Sequence, residues 1–306
     1  LTLKNHIRRV RMCVIFNPAA RGEKASRFFD HLNGLATDCV FRPTTSPGGA
    51  RSLATQAVNE GHETVVAAGG DGTINEVLNG IGDATDGFNR ARLAVMPLGT
   101  VNVFAKELGV PMRFERAWEV IQKGREDRID LPQAEFQSNG KQERRYFAQL
   151  AGAGLDARAI ELVSWKLKKK TGPVAYIAAG LRAIRERQPR IELKRDGQSP
   201  ESGQLVLFGN GRYYGGRFHV FPHADLRDGL LDISVFPKVN WPTLFHCGAS
   251  LLMTAELPRS RALHFRAHTV ELTGTPGTSL EVDGELCGQL PASFSIQPLA
   301  LRVVVP

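Results

Sequence analysis

At 306 residues the chain is longer than one hydrophobic core usually serves, so two domains are expected. Its 42% hydrophobic and 23% charged residues are ordinary for a soluble globular protein, and no apolar run reaches the ~18 residues of a membrane span. The net charge of +8 is local: residues 158–195 hold eleven Lys and Arg against three Glu, which leaves the remainder neutral and points to an anionic partner at one patch, such as a membrane surface.

The N-terminal stretch carries charges without an apolar segment behind them and does not read as a signal peptide. Strand and helix patterns then alternate, the mark of a parallel α/β sheet. Residues 10–16 form an apolar run ended by Asn17-Pro18, 24–35 have helical spacing, 39–41 read as a strand and 50–58 as a helix. Thr64 to Ala68 is a buried strand running into Gly69-Gly70-Asp71-Gly72, and 73–78 start the next helix. A strand over 93–96 and a helix over 101–108 follow.

Beyond about Asp130 short alternating segments at 146–150, 204–208, 218–221, 231–236, 269–272, 280–282 and 301–305 read as an antiparallel sandwich. Helical insertions are expected near 158–187 and 243–256. The fold expected is thus α/β in two domains: a parallel α/β nucleotide-binding domain over 1–130 and an antiparallel β-sandwich with helical insertions over 131–306. The four cysteines show no CxxC pair and read as reduced, buried thiols.

The turn Gly69-Gly70-Asp71-Gly72-Thr73 lets backbone approach a phosphate, at a helix start whose N–H groups attract anions. Asp71 could hold a metal-bound phosphate there. Equally, Asp71 or Thr73 could simply cap a tight strand-to-helix turn. Three further loops leave the carboxyl ends of predicted strands: Asn17 to Gly22, Thr44 to Gly48, and Pro97-Leu98-Gly99-Thr100-Val101-Asn102. Ligands of open α/β sheets bind at that edge, so four loops together favour phosphate binding. A Walker A loop, protein-kinase motifs and a Gly-x-Ser-x-Gly elbow are absent. Gly152-x-Gly154-x-x-Ala157 fits a dinucleotide fingerprint but lacks the acidic residue expected about 20 positions on.

In order along the chain, Asn-Pro-x-x-x-Gly, Gly-Gly-Asp-Gly-Thr-x-x-Glu-Val and Pro-x-Gly-Thr-x-Asn resemble the diacylglycerol kinase catalytic domain family, which includes bacterial soluble lipid kinases and sphingosine and ceramide kinases. Gly152-Ala153-Gly154-Leu155-Asp156-Ala157, Asn210 to Gly216, Asp228 to Asp232 and Asp283-Gly284-Glu285 extend the likeness through the second half. The resemblance implies an ATP- and Mg2+-dependent kinase acting on a lipid primary hydroxyl, diacylglycerol first, at the inner membrane surface of the cytoplasm. It also implies a last strand that returns to the first domain.

By the same resemblance, Asn17, Pro18, Gly22, Thr44, Gly69, Gly70, Asp71, Gly72, Thr73, Glu76, Gly99, Thr100 and Asn102 would surround ATP. Asp71 would orient the magnesium-nucleotide, and Glu285 would be the general base. Asp228, with backbone carbonyls of Asp225 and Leu230, would hold a structural magnesium, and Asp130 would join a metal network. The basic segment with Trp165, Lys166, Lys168, Lys169 and Lys170 would meet anionic lipid or, as readily, form a solvated helix face. A homo-oligomer stays open, and no nucleic-acid partner is expected. The alternatives are a sphingoid-base or other lipid kinase, an NAD kinase-like enzyme sharing Gly-Gly-Asp-Gly-Thr, and a non-catalytic regulator that binds nucleotide or lipid.

Overall fold

The computed structural model describes residues 12–18, 26–28, 30, 39–162, 179–216 and 218–306. Two compact units emerge: one takes the described residues up to Arg128 together with Leu301–Pro306, the other is Ile129–Ala300.

The first unit is a parallel sheet with helices. Strands β1 (Met12–Phe16), β2 (Cys39–Pro43), β3 (Thr64–Gly69) and β4 (Arg92–Pro97) run in the order β2-β1-β3-β4, all parallel. Every residue of β3 is buried, as expected of a strand covered on both faces. Helix α1 (Gly49–Asn59) packs against α2 (Asp71–Asp83). Short α3 (Val103–Glu107) and α4 (Phe114–Lys123) follow β4. The sequence pattern predicts 101–108 for α3 and no helix at α4, although Phe114, Ala117, Trp118 and Ile121 recur at helical spacing and are buried.

The second unit is largely antiparallel. β5 (Arg125–Ser138) pairs with β6 (Lys141–Tyr146). β7 (Leu150–Gly154) leads directly into α5 (Leu155–Leu162). Then come β8 (Ile191–Arg195), β9 (Glu201–Gly203), β10 (Leu205–Gly209), the two-residue pair β11 (Tyr213–Tyr214) and β12 (Phe218–His219), and β13 (Leu231–Phe236). Helix α6 (Trp241–Thr254), β14 (Leu263–Ala267), β15 (Thr269–Gly274), β16 (Ser279–Val282) and β17 (Glu285–Val305) complete the chain.

The order β14-β13-β10-β7-β16 is antiparallel throughout. β10 shows why its apolar run is unbroken. Val206 and Phe208 point into a sandwich core with Phe147 and Phe294, while Leu205 and Leu207 join a second cluster with Leu155, Phe221 and Cys247. Alternate side chains of one strand thus serve two cores. Phe208 stacks on Phe294 with centroids 4.1 Å apart.

Three sequence expectations need correcting. Residues 147–149 are not strand but a connection between β6 and β7, held by a carboxylate described below. The strand expected over 218–221 is only two residues long. The segment 301–305 is the end of a 21-residue strand, β17, whose Val303 pairs in parallel with Leu93 of β4 in the first unit. Arg302 in the same stretch forms two hydrogen bonds to Glu126, of 2.7 and 2.8 Å, and these hold the Glu126 carboxyl below its usual range.

Candidate active site

In the first unit, Gly69 ends β3, Gly70 is the extended N-cap residue of α2, and Asp71, Gly72 and Thr73 open that helix. Gly99, just beyond β4, lies against this turn: a Cβ on Gly99 would sit 2.5 Å from Gly70 Cα. Leu98 N and Gly99 N both donate to Gly69 O, at 3.0 and 3.2 Å. The loops after β3 and β4 therefore touch through glycine backbones, an approach that a larger residue would block.

Asp71 Oδ1 accepts the Phe104 N–H at 3.2 Å, tying the start of α2 to α3. Asn102 adopts a left-handed φ of 53° and is the N-cap residue of α3; its Nδ2 donates to Gly99 O at 2.7 Å. Asn102 Oδ1 is buried and has no hydrogen-bond donor among the described residues. Thr100 is exposed beside it. At the neighbouring strand ends, Thr44 N donates to Phe16 O, with Asn17 and Pro18 exposed.

Glu76 has a definite local role. Its carboxylate accepts Gly48 N at 3.0 Å and Ala50 N at 2.9 Å, so it caps the start of α1 from the side of α2. Of the residues expected around ATP, Asn17, Pro18, Thr44, Gly69, Gly70, Asp71, Gly72, Thr73, Glu76, Gly99, Thr100 and Asn102 thus belong to the carboxyl ends of β1 to β4 or to the helices that follow. Gly22 lies outside the described residues, as do Trp165, Lys166, Lys168, Lys169 and Lys170.

In the second unit, Asp283 and Gly284 form the two-residue turn between β16 and β17, with φ of 48° and 82°. Both values are positive, as the common hairpin turn requires and Asp-Gly supplies. The turn is more than a connection. Asp283 accepts Ala148 N at 2.8 Å, Gln149 N at 2.9 Å and Leu150 N at 3.2 Å, which holds the peptide between β6 and β7. Glu285 is the first residue of β17, pairs with Val282, and keeps nearly half its side chain exposed, with Arg145 Nη1 3.9 Å from Oε2.

Two further carboxyl groups stand behind this turn. Glu281 is fully buried on β16, and its Oε2 accepts Gly284 N at 2.8 Å. Asp156, near the start of α5, accepts Tyr214 OH at 2.6 Å through Oδ1. The remaining oxygens, Glu281 Oε1 and Asp156 Oδ2, are buried and, among the described residues, meet no N–H or hydroxyl donor. A Cβ on Gly152 would lie 3.0 Å from the first and 3.3 Å from the second, so glycine there leaves room for both. Burial, then the Asp156 charge, raises Glu281 well above the usual carboxylate range; burial raises Asp156 as well, against the hydrogen bonds of Tyr214 and Glu281. One proton shared between them would satisfy the pair.

The sequence pattern alone assigns neither acid a function. Asp156 belongs to the quoted Gly-x-Gly-x-Asp-Ala motif, the one signal that could have singled it out. Glu281 alternates with Leu280 and Val282, which reads as a solvent-facing position. Helix α5 packs against β16 and changes that outcome.

The expected magnesium loop is built around Asp130. This buried carboxylate accepts Gly229 N at 2.7 Å and Leu299 N at 2.8 Å. Burial raises its pKa against those two donors, with Asp228 and Asp225 adding to the rise. Asp228 accepts Leu230 N through Oδ1, while Oδ2 lies 3.3 Å from Arg266; Asp225 accepts Arg227 N. The carboxylates of this loop already face backbone donors and a guanidinium. Among the described residues no group of three or more His, Cys, Asp or Glu is arranged to hold a metal, and no helix is long and apolar enough to cross a membrane.

Comparison with known proteins finds matches over most of the chain. A family model described as the diacylglycerol kinase catalytic domain matches residues 11–134, and one described as a YegS C-terminal NAD kinase beta sandwich-like domain matches 149–305. A diacylglycerol kinase of Staphylococcus carnosus (strain TM300) is 30% identical over 305 residues, 97% of this chain and 96% of that protein. One from Staphylococcus aureus (strain bovine RF122 / ET3-1) is 30% identical over 94% of this chain and 89% of its own length. The crystal structure of a diacylglycerol kinase from Bacillus anthracis str. Sterne superposes with a TM-score of 0.75 over 97% of each chain at 24% identity, a likeness of fold. With glycine-lined loops at a parallel sheet edge in one unit and the Asp-Gly-Glu hairpin in the other, the chain belongs to the diacylglycerol kinase family and is a kinase.

Proposed function

We propose that this kinase uses magnesium-ATP to phosphorylate the primary hydroxyl of a membrane lipid, with diacylglycerol as the preferred acceptor. The observation that carries the ATP reading is the contact of Gly69-Gly70 with Gly99, which brings two loop backbones together at the start of α2, where phosphate oxygens are well received. Asn102, with a buried acceptor lacking a donor, fits a position beside a bound polar ligand. ATP supplies the phosphoryl group, and magnesium offsets its charge during transfer.

Asp71 orients the metal-bound phosphates, and Glu285 accepts the proton of the lipid hydroxyl. Exposure on a strand end gives Glu285 access to a ligand, with Arg145 Nη1 3.9 Å from its carboxylate. At the second-unit loop, Asp228 is the carboxylate suited to a structural magnesium, with the carbonyls of Asp225 and Leu230. There the ion would take the place of Arg266 beside Asp228, with Asp130 holding the loop's backbone. The kinase would work at the inner surface of the cytoplasmic membrane, where its acceptor resides.

The acceptor is tested by incubating purified protein with γ-labelled ATP, magnesium and a panel of acceptors in mixed micelles. Transfer of label to diacylglycerol well above sphingosine and NAD is the expected result. Label appearing on NAD or sphingosine alone would assign a different acceptor.

A further inference from the structure

Helix α6 presents an apolar face to solvent that no other part of the described chain covers. None of its fourteen residues, Trp-Pro-Thr-Leu-Phe-His-Cys-Gly-Ala-Ser-Leu-Leu-Met-Thr, is Asp, Glu, Lys or Arg. At about 100° per residue, Thr243 and Cys247 fall on one side, with Leu244 and Leu251 at its edge. Thr243 and Cys247 are buried, and Cys247 joins the second core cluster, against which Leu244 packs. Trp241, Phe245, Leu252 and Met253 fall within an arc of about 120° on the other side. Their exposures are 49, 80, 73 and 84%. Four large apolar side chains on one arc are a patch, whereas single exposed ones are commonplace.

Cations stand beside the N-terminal half of this helix. Lys238 precedes the helix, its carbonyl accepting Thr243 Oγ1 at 3.2 Å. Arg185 lies with its guanidinium 6.0 Å from the Trp241 ring centre. Arg261 Nε donates to His246 Nδ1 at 3.0 Å. Among the described residues, none of these three cations pairs with a carboxylate, and Glu256 is the one acidic residue just past the helix.

We infer that α6 is a membrane-docking helix that lies in the plane of an anionic bilayer, with Trp241, Phe245, Leu252 and Met253 inserted among the acyl chains and Lys238, Arg185 and Arg261 at the headgroups. Three features choose the bilayer over other occupants. Fourteen residues make a helix of about 21 Å, too short to span a membrane but suited to its interface. Trp beside a cation at the end of an apolar face is an interfacial pairing. A second copy packed on the same face by two-fold symmetry would bring the same cationic rim against itself, and a stable dimer needs about 800 Å² per partner, more than one helix face offers.

The choice of a lipid occupant draws on the proposed lipid-kinase activity, but docking is read without turnover. Full-length protein is sedimented with phosphatidylglycerol–phosphatidylcholine vesicles in the absence of ATP, alongside the double variant Phe245→Ser/Met253→Ser and the conservative Phe245→Trp. Both replaced side chains face solvent, so the melting temperature should not move. The double variant is expected to bind vesicles at least about tenfold more weakly, while Phe245→Trp keeps wild-type binding and neutral vesicles bind less than anionic ones. Equal sedimentation of wild type and double variant would overturn the proposal. So would a wild type that forms a dimer on light scattering and loses it on Phe245→Ser/Met253→Ser while vesicle binding stays the same. Vesicle binding by a protein that phosphorylates no lipid would leave the docking surface standing and remove the lipid-kinase reading alone.

Discussion

Asp156 and Glu281 meet carboxyl to carboxyl over Gly152, and among the described residues their facing oxygens have only each other for a partner. The arrangement sets a sign for the pH dependence of stability. Glu281 titrates near 4.5 in an open chain and well above that in the fold. Below 4.5 both states hold the proton, and the pair contributes in full. Between that value and the raised one, the unfolded chain releases a proton that the folded chain keeps, so stability falls by about 1.4 kcal/mol per pH unit for this group. Glu281→Gln replaces the proton with a permanent amide donor to Asp156. Thermal melts from pH 5 to 9 should show the variant gaining on the wild type as pH rises. A constant offset at all pH values would mean that no proton is shared.

Glu76 should matter for stability. Replacing it by alanine leaves Gly48 N and Ala50 N without their acceptor, a loss of about 1 kcal/mol by analogy with other helix caps. A urea midpoint unchanged in Glu76→Ala would contradict the capping role.

Gly99→Ala tests the meeting of the two glycine loops. The added methyl would stand 2.5 Å from Gly70 Cα, so backbone must move, at about 1 to 3 kcal/mol. Calorimetric titration with ATP should show affinity reduced by about tenfold or more. Undiminished affinity would place the nucleotide elsewhere.

Asp283 and Glu285, two positions apart in the hairpin, should separate chemistry from architecture. Glu285→Gln keeps the fold and should slow single-turnover phosphorylation by about 100-fold or more with ATP binding unchanged. Asp283→Ala removes the acceptor of three backbone N–H groups and should lower stability by about 3 kcal/mol. Wild-type single-turnover rates in Glu285→Gln would transfer the base role to another group.

What could be read in the sequence was what local pattern governs. β3 and its glycine turn stood out because a strand buried on both faces is apolar throughout and the turn that follows needs small residues. Glu281 could not be read in this way. Period-two alternation places it opposite Leu280 and Val282, and only the long-range packing of α5 on β16 makes that opposite face an interior. The length of β17 was hidden for a different reason. Pro291, Pro298 and Gly288 interrupt its apolar pattern, so only its last five residues looked like a strand. Asp283 read as a turn residue, which it is; the three backbone groups that it gathers lie more than 130 positions earlier.

The route of β17 also bears on how the protein is made. Leu301–Val305 complete the sheet of the first unit beside β4, yet the ribosome delivers them only after all of the second unit. Until then the nascent α/β layer carries β4 as an open edge, a template for pairing with other chains. Synthesis from one end therefore cannot finish the two units in turn, and a chain stopped before Leu301 would leave the earlier unit, rather than the later one, incomplete.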